Sequence, residues 1–572
     1  MEYIFSLSQP ASRFVSIELH IEGPFGENGF DLQLPSWRPG RYELGNFAKN
    51  IRSFHVTSGD GKLLAFKKTT KDLWHISGPA QSVQINYEYY AAQPDAGACY
   101  ADHQLLYINP VHCCFYIPGR ENENIKVRLN VPDDWKVATG MTKTGDRRLE
   151  AKNFDQLADC PFMASPSISH AQYTLDDIDF NIWIQGDSAP DWPVMVKDFT
   201  AFSEVQLAMM KEFPAKDYHF LVLLLPYTFY HGVEHLNSTV LALGPGYKLM
   251  QPAMYKELLG VASHELFHSW NIKSIRPVEM LPYNYASENY ATTGYVYEGI
   301  TTYYGDLFLA RSGYFNLKSL LEEFSVRLQR HMDNAGRFNY SVAESSFDTW
   351  LDGYTPGVPG RKTSIYDEGC LLALILDFMI RSATESKKSL NDVMRNLYFD
   401  FAKKNRGYTA DSFRECAEQV AGRSFKDFFD NYIYKATSLD SLLGEVVSLA
   451  GLNLVSTPSL LLQERYLGMR TENRNGQAIV SAVYPGSPAD QAGLFKDDEL
   501  ISINGIRIEN NMSELISLFQ NTAKEWIISS GRKIRIIPMH CSEINFYSKH
   551  AFESEESLSQ SQLNFRQQWI TG

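Results

Sequence analysis

The sequence predicts a multidomain α+β protein with three parts: an N-terminal antiparallel β-sandwich, a central and mostly helical domain, and a small strand-rich module near the C-terminus. Three observations predict this. Apolar and polar residues alternate at period two from residue 1 to about 170. Apolar residues then recur at three- and four-residue steps over 171–450, and short strand-like runs return over 451–542. The two periods are those of a half-buried strand and of an amphipathic helix.

In the first domain, residues 1–170, Val15, Ile17, Leu19 and Ile21 alternate with Ser16, Glu18, His20 and Glu22. The rhythm returns from Val83 to Tyr89 and from Ile125 to Val131. Successive strand side chains point to opposite faces, so each run presents one apolar face. Turn-forming pieces such as SGDGK and PSWRPGR separate the runs, as in a sandwich. No chemistry is evident in this part.

The second domain, 171–450, shows helical periodicity near 194–213, 255–272, 296–312, 316–331, 365–382, 388–403 and 410–420. The strand-like stretch HFLVLLLPYTFYHGVEHLNSTVLALG comes before the second of these. Within this domain, VASHELFHSW sets His264 and His268 four apart, with Glu265 directly after the first. An α-helix turns about 100° per residue, so i and i+4 share a face about 6 Å apart along the axis. Two such imidazoles can grip one zinc ion at roughly 2.0–2.1 Å. Glu265 lies about 100° round from His264, beside the ion, where its carboxylate can take the proton of a bound water. With 14 His and 67 acidic residues, chance would supply only ~0.04 such patterns in a chain of this length. A catalytic zinc needs a third protein ligand and an open fourth position. The candidates are Glu279, Glu288 and Glu298. Glu298 is chosen because it opens the helix-like YEGITTYYGDLFLARSG, whereas the other two lie in a Pro-, Asn- and Tyr-rich stretch where position is less fixed.

The third part, 451–542, contains AIVSAVYPGSPADQAGLFKDDELISINGIRI. A strand reaches a Gly-Ser-Pro turn, and a short helix through Ala489 and Ala492 ends at Gly493. An acidic turn, a strand through Leu500, Ile501 and Ile503, and an Asn504-Gly505 hairpin turn follow. This order resembles a PDZ domain. The tail, 543–572, carries the polar ESEESLSQSQ and then LNFRQQWI, whose apolar residues are expected to dock back on the body.

A formal net charge of -14 argues against nucleic acid and anionic membrane as partners. The N-terminus lacks the basic and apolar regions of a signal peptide, and the longest apolar runs fall short of the ~20 residues of a membrane helix. Seven scattered cysteines without a CxxC pair fit free thiols in a cytoplasmic protein.

HELFHSWNIKSIRP, YEGITTYYGDLFLARSG and SIYDEGCLLALILDFMIR, preceded by HGVEHLNST and followed by the PDZ-like module, together resemble the glycyl aminopeptidase family of zinc metallopeptidases. The likeness covers nearly the whole chain, including the PSWRPGRY stretch. It implies a thermolysin-like catalytic domain with one zinc per chain on His264, His268 and Glu298, and Glu265 as base. It also implies that Tyr366 donates to the oxyanion, although the family's Lys after that tyrosine is Glu368 here. The family's G-G-x-E-H segment is His231-Gly232-Val233-Glu234-His235, so Glu234 would pair with a substrate α-ammonium while Gly232 and Val233 offer main-chain groups. The replacement of the first glycine by His231 is expected to narrow the cleft. The resemblance thus implies removal of a small N-terminal residue, Gly or Ala, from peptides with a free N-terminus. Leu467, Gly468 and Met469, in YLGM, would present N–H groups to a peptide C-terminus or an extended strand. The alternatives are a zinc endopeptidase or oligopeptidase, and a peptide-binding scaffold with a dead catalytic domain.

Overall fold

The alternation read in residues 14–25 becomes the strand Phe14–Phe25, whose inward residues Val15, Ile17, Leu19 and Ile21 are buried while their neighbours stay partly exposed. Each such aliphatic side chain contributes about 1.5–3 kcal/mol on burial. In the computed structural model, which describes residues 1–355, 357–519, 522 and 524–572, this strand lies inside a seven-stranded sheet. The sheet runs in the order Thr142–Gly145, Arg148–Ala151, Ile125–Asn130, Glu2–Ser6, Phe14–Phe25, Ala80–Tyr90 and Ile51–Ser58. All its pairs are antiparallel except Glu2–Ser6 with Ile125–Asn130, which is parallel. A four-stranded sheet (Lys136–Thr139, Phe162–Ser165, Leu106–Ile108, Tyr100–Ala101) shares its core, with Phe5 edge-on to Phe162 at 5.2 Å. This is the expected sandwich.

The expected strand region after residue 217 resolves into three strands of a five-stranded sheet. Its order is Ser169–Leu175, Ile178–Gln185, Asp217–Leu224, Ser238–Gly244 and, at the edge, Phe229–Glu234. Leu221, Leu223, Val233, Val240 and Ala242 of this sheet cluster with Ala96, Leu105, Tyr107, Ala138 and Met163 of the first domain. The sandwich is thereby welded to the sheet that carries the HGVEH segment. A buried ion cluster adds to the join: Lys273 Nζ lies 2.6 Å from Asp159, which also accepts from His235 Nδ1 at 3.1 Å.

The helical periods correspond to Trp192–Met210, Pro252–Phe267, Ile300–Arg311, Leu317–Asp333, Asp367–Ala383, Leu390–Asp400 and Ala410–Ala421. No described helix is long and apolar enough to cross a membrane.

Two compact units result. The first comprises residues Met1–Leu320, Asn334–Gly451 and Leu558–Gly572. Its last piece is the helix Gln560–Thr571, whose Trp569 is fully buried, donates to the Tyr303 hydroxyl at 2.8 Å and packs edge-on against Phe378 at 5.1 Å. The second unit comprises Leu321–Asp333 and Leu452–Ser557. In it Ser548–Ser554 pairs with Leu452–Pro458, and the N–H groups of His550 and Phe552 donate to Gln329 and Ser325 at 2.8 and 2.9 Å. The tail's first part is therefore a strand of the second unit, and its last part a helix of the first. The PDZ-like strands run Met469–Arg474, Gln477–Val483, Glu499–Ile503, Lys524–Ser530 and Lys533–Met539. Asn504 and Gly505 take φ of 48° and 80°, the two left-handed residues that a tight hairpin turn requires.

Candidate functional site

Pro252 opens the motif helix at a position where its missing N–H costs nothing, and the helix runs to Phe267 with His268 as its helical cap. His264 and His268 therefore share a face, and their Nε2 atoms lie 3.0 Å apart. The second ring is held by its other nitrogen, since Nδ1 lies 2.5 Å from the Asn271 carbonyl oxygen. With the proton on Nδ1, the Nε2 lone pair faces its neighbours. Burial lowers the affinity of His268 for a second proton, which keeps that lone pair available.

Glu298 lies not at the start of an α-helix but in the wider π turn Tyr295–Gly299, just before the helix Ile300–Arg311. Such turns recur at functional sites because they re-aim a side chain within a helix. Its carboxylate reaches to 3.5 Å from His268 Nε2 and 4.0 Å from His264 Nε2. Four tetrahedral ligands at 2.0–2.1 Å lie roughly 3.3–3.4 Å from one another, so these three atoms suit such an ion. The same π turn meets the helix Asp367–Ala383 at a pair of glycines. A Cβ on Gly299 would come within 2.5 Å of Gly369 Cα. This close crossing brings Tyr366, the residue capping that helix, near Glu298, whose charge adds to burial in raising the Tyr366 hydroxyl well above its ordinary range. Glu368, which replaces the family's lysine, accepts from the Thr363 hydroxyl at 2.5 Å.

On the other side of the motif helix runs the edge strand Phe229–Glu234. A Cβ on Gly232 would fall 2.3 Å from Glu265 Oε1 and 2.7 Å from Val261 Cγ2. Any larger residue here would displace the Glu265 and Val261 side chains. Two residues on, and so on the same face, Glu234 is 4% exposed and joins Glu265 and His268 in a second cluster of converging ligand atoms. Glu234 Oε1 and Glu265 Oε2 are buried without a hydrogen-bond partner among the described residues. Burial, then the charges of Glu234 and Glu298, push the Glu265 carboxyl well above its ordinary range, and burial with Glu234 does the same to Glu298. Three carboxyls and two imidazoles crowded out of water are a poor arrangement for themselves and a good one for a dication. His231 does not narrow this face. It points to the opposite side of the strand and its Nδ1 pairs with Asp95.

The first domain, where the sequence revealed no chemistry, completes the site. Its PSWRPGRY loop lies across the cluster. Gly40, at φ +86°, sits so close to Glu234 that a Cβ would come within 2.3 Å of the carboxylate. Tyr42 donates to Glu298 Oε1 at 3.1 Å. Arg38 is 3% exposed against Gly97, its charge favours the ionised form of Glu265, and its Nη2 has no hydrogen-bond partner among the described residues. The signal available in sequence was a loop combining Arg, Gly and Tyr between two strands.

In the second unit the YLGM loop departs from a row of open donors. Leu467 and Met469 are buried in the core, and the N–H of Gly468 donates to the Gln463 carbonyl of the same loop. The Gln463 side chain in turn bridges Thr471, on the edge strand Met469–Arg474, and Ser513, on the helix Met512–Leu518.

Three family models match the chain: the Peptidase M61 N-terminal domain over residues 2–166, M61 glycyl aminopeptidase over 257–372, and a PDZ domain over 479–527. No curated protein sequence matches. Among solved structures, an aminopeptidase N family protein from Idiomarina loihiensis is 25% identical over 100% of both chains, with a TM-score of 0.91. An M1 zinc metallopeptidase from Deinococcus radiodurans, solved with a Tyr-Ser-Ala substrate, is 12% identical over 76% of this chain and 94% of its own, with a TM-score of 0.47. The N-terminal and central parts of the chain thus match M61 models, the chain is a metallopeptidase of the aminopeptidase class, and a PDZ domain follows the catalytic one in sequence.

Proposed function

We propose that the chain removes small N-terminal residues, Gly or Ala, from peptides, using one zinc held by His264, His268 and Glu298. The observation that carries this reading is the pair of orphaned carboxylate oxygens, on Glu234 and Glu265, beside the converging ligand atoms of those three residues. When bound, zinc supplies a Lewis acid that polarises the scissile carbonyl and acidifies water. Glu265 takes the proton of the attacking water and passes it to the leaving amine. The Tyr366 hydroxyl donates to the carbonyl oxygen as negative charge gathers there. Glu234 pairs with the substrate α-ammonium, while the open edge at Gly232 and Val233 receives the substrate backbone as an added strand. Gly40, pressed on Glu234, leaves little room beside that ammonium, which supports a preference for small residues.

The test is mass spectrometry of mixed free and N-acetylated peptides incubated with zinc-loaded protein. Loss of one residue at a time from free Gly- and Ala-peptides, with acetylated ones spared, is expected; Glu234→Gln should weaken that preference and leave zinc bound. Internal cuts in acetylated peptides at similar rate would mean an endopeptidase, and no cleavage at all a scaffold.

The PDZ domain offers a second peptide site. Because the Gly468 N–H is committed to Gln463, we assign it recognition by strand addition along Met469–Arg474 rather than capture of a terminal carboxylate. Fluorescence anisotropy should give similar affinities for a peptide and its C-terminal amide; a strong preference for the free acid would reverse this. Six of the seven cysteines are buried and none is in a disulfide among the described residues, which suits a cytoplasmic enzyme; recovery in a secreted fraction would contradict that placement.

A further inference from the structure

Three carboxyls meet at this site, and they differ in how their oxygens are held. Glu234 and Glu265 each leave a buried oxygen without a hydrogen-bond partner among the described residues. On Glu298 both oxygens are engaged. Its Oε2 is turned to the histidines, 3.5 Å from His268 Nε2 and 4.0 Å from His264 Nε2, while its Oε1 accepts from the Tyr42 hydroxyl at 3.1 Å. The direction of that bond follows from the groups themselves, because an ionised carboxylate can only accept and the phenol must therefore donate.

The terminal torsion of a glutamate has broad wells, so packing by itself holds the plane of the carboxylate weakly. A donor fixed on one oxygen removes that freedom and leaves the other facing the imidazoles. Tyr42 has the footing this requires. Its side chain is buried, 5.3 Å from the Tyr297 ring and 6.1 Å, edge-on, from Trp350. Its main-chain N–H donates to the Tyr354 hydroxyl oxygen at 3.3 Å, and the Arg41 guanidinium lies 4.7 Å from the centroid of that ring. The loop that carries it is fastened to the segment after the motif helix, where Trp37 donates to the Asn284 carbonyl at 2.6 Å and the Ser36 N–H to the Tyr285 carbonyl at 2.7 Å.

We propose that Tyr42, supplied by the first domain, is a positioning residue for the metal: its hydroxyl pins Glu298 Oε1, so that Oε2 stays turned to His264 and His268. The inference rests on the ligand set assigned above. Zinc affinity then depends on the seating of the PSWRPGRY loop, and the β-sandwich takes part in building the metal site. Partners of this kind, one bond behind a metal ligand, are worth about 10- to 100-fold in metal affinity.

The test is calorimetric titration of the full-length, metal-free protein with zinc in the presence and absence of a competing chelator. Tyr42→Phe keeps the ring between Tyr297 and Trp350 and removes only the hydroxyl. It is expected to raise the zinc dissociation constant about 10- to 100-fold. The melting temperature of the metal-free protein should not change, which separates a lost ligand orientation from lost packing. In a Glu298→Ala background, where two imidazoles still bind zinc weakly, the same substitution should alter affinity by less than about two-fold, because no carboxylate remains to be held. Wild-type affinity in Glu298→Ala alone would overturn the ligand assignment itself. With Glu298→Ala impaired, three results would overturn the role of Tyr42 and leave that assignment standing: wild-type affinity in Tyr42→Phe, an equal loss in both backgrounds, or a loss accompanied by a lower metal-free melting temperature.

Discussion

Glu265 and Gly232 form one contact, and each half of it can be tested. Glu265→Gln keeps the shape and a hydrogen bond but cannot take a proton, so peptide hydrolysis should fall by at least ~10²-fold while zinc, measured by emission spectroscopy, stays bound. Parallel loss of metal would make Glu265 a ligand. Gly232→Ala introduces a methyl 2.3 Å from the Glu265 carboxylate, which must then move from its place. A misplacement on the order of 1 Å can cost about 10²-fold in rate, so kcat/KM should fall by at least ~10-fold with the melting temperature nearly unchanged. An active alanine variant would mean that the strand yields freely. His264, Glu265 and His268 were legible in the sequence because one turn of helix fixes their relation. Arg38, Gly40 and Tyr42 were not. The Tyr42–Glu298 bond joins residues 256 apart in the chain, and no local period encodes such a meeting.

Among the elements, the most local signals were the most readable. The Asn504-Gly505 hairpin turn and the helix ending at Gly493 stand where their residues call for them, because turn chemistry is settled within a few positions. The strand region after residue 217 gave its apolar character but not its order, since Phe229–Glu234 lies at the sheet edge although it comes between two neighbours in sequence. Glu298 was expected to open a helix and instead occupies a π turn, where Gly299 meets Gly369 of another helix; that register depends on a tertiary crossing. The helix Gln560–Thr571 was legible only as an apolar tail. Its Trp569 fills a fully buried place beside Tyr303 on the helix that follows Glu298. Trp569→Ala is expected to cost about 3–5 kcal/mol, read from urea unfolding. A cost below about 1 kcal/mol would mean that the helix is only loosely attached.

For the whole molecule, the division into units makes two deletions unequal. Gly451 and Leu558 lie side by side, a Cβ on the first coming within 2.1 Å of the Leu558 side chain, so residues 452–557 can be removed and the ends joined by a short linker. That variant should keep its zinc and its activity on dipeptides. A chain stopped at residue 451 also loses Trp569, and should show a lower melting temperature and weaker zinc retention. Equal behaviour of the two would detach the last helix from the catalytic unit. The same arrangement bears on the order of events during synthesis. When the ribosome has made residues 1–451, every proposed catalytic side chain already exists, yet the tryptophan that closes the core around them is more than a hundred codons away. The second unit is therefore made inside the unfinished first one, and a nascent chain bears an incomplete peptidase until its neighbour has been translated.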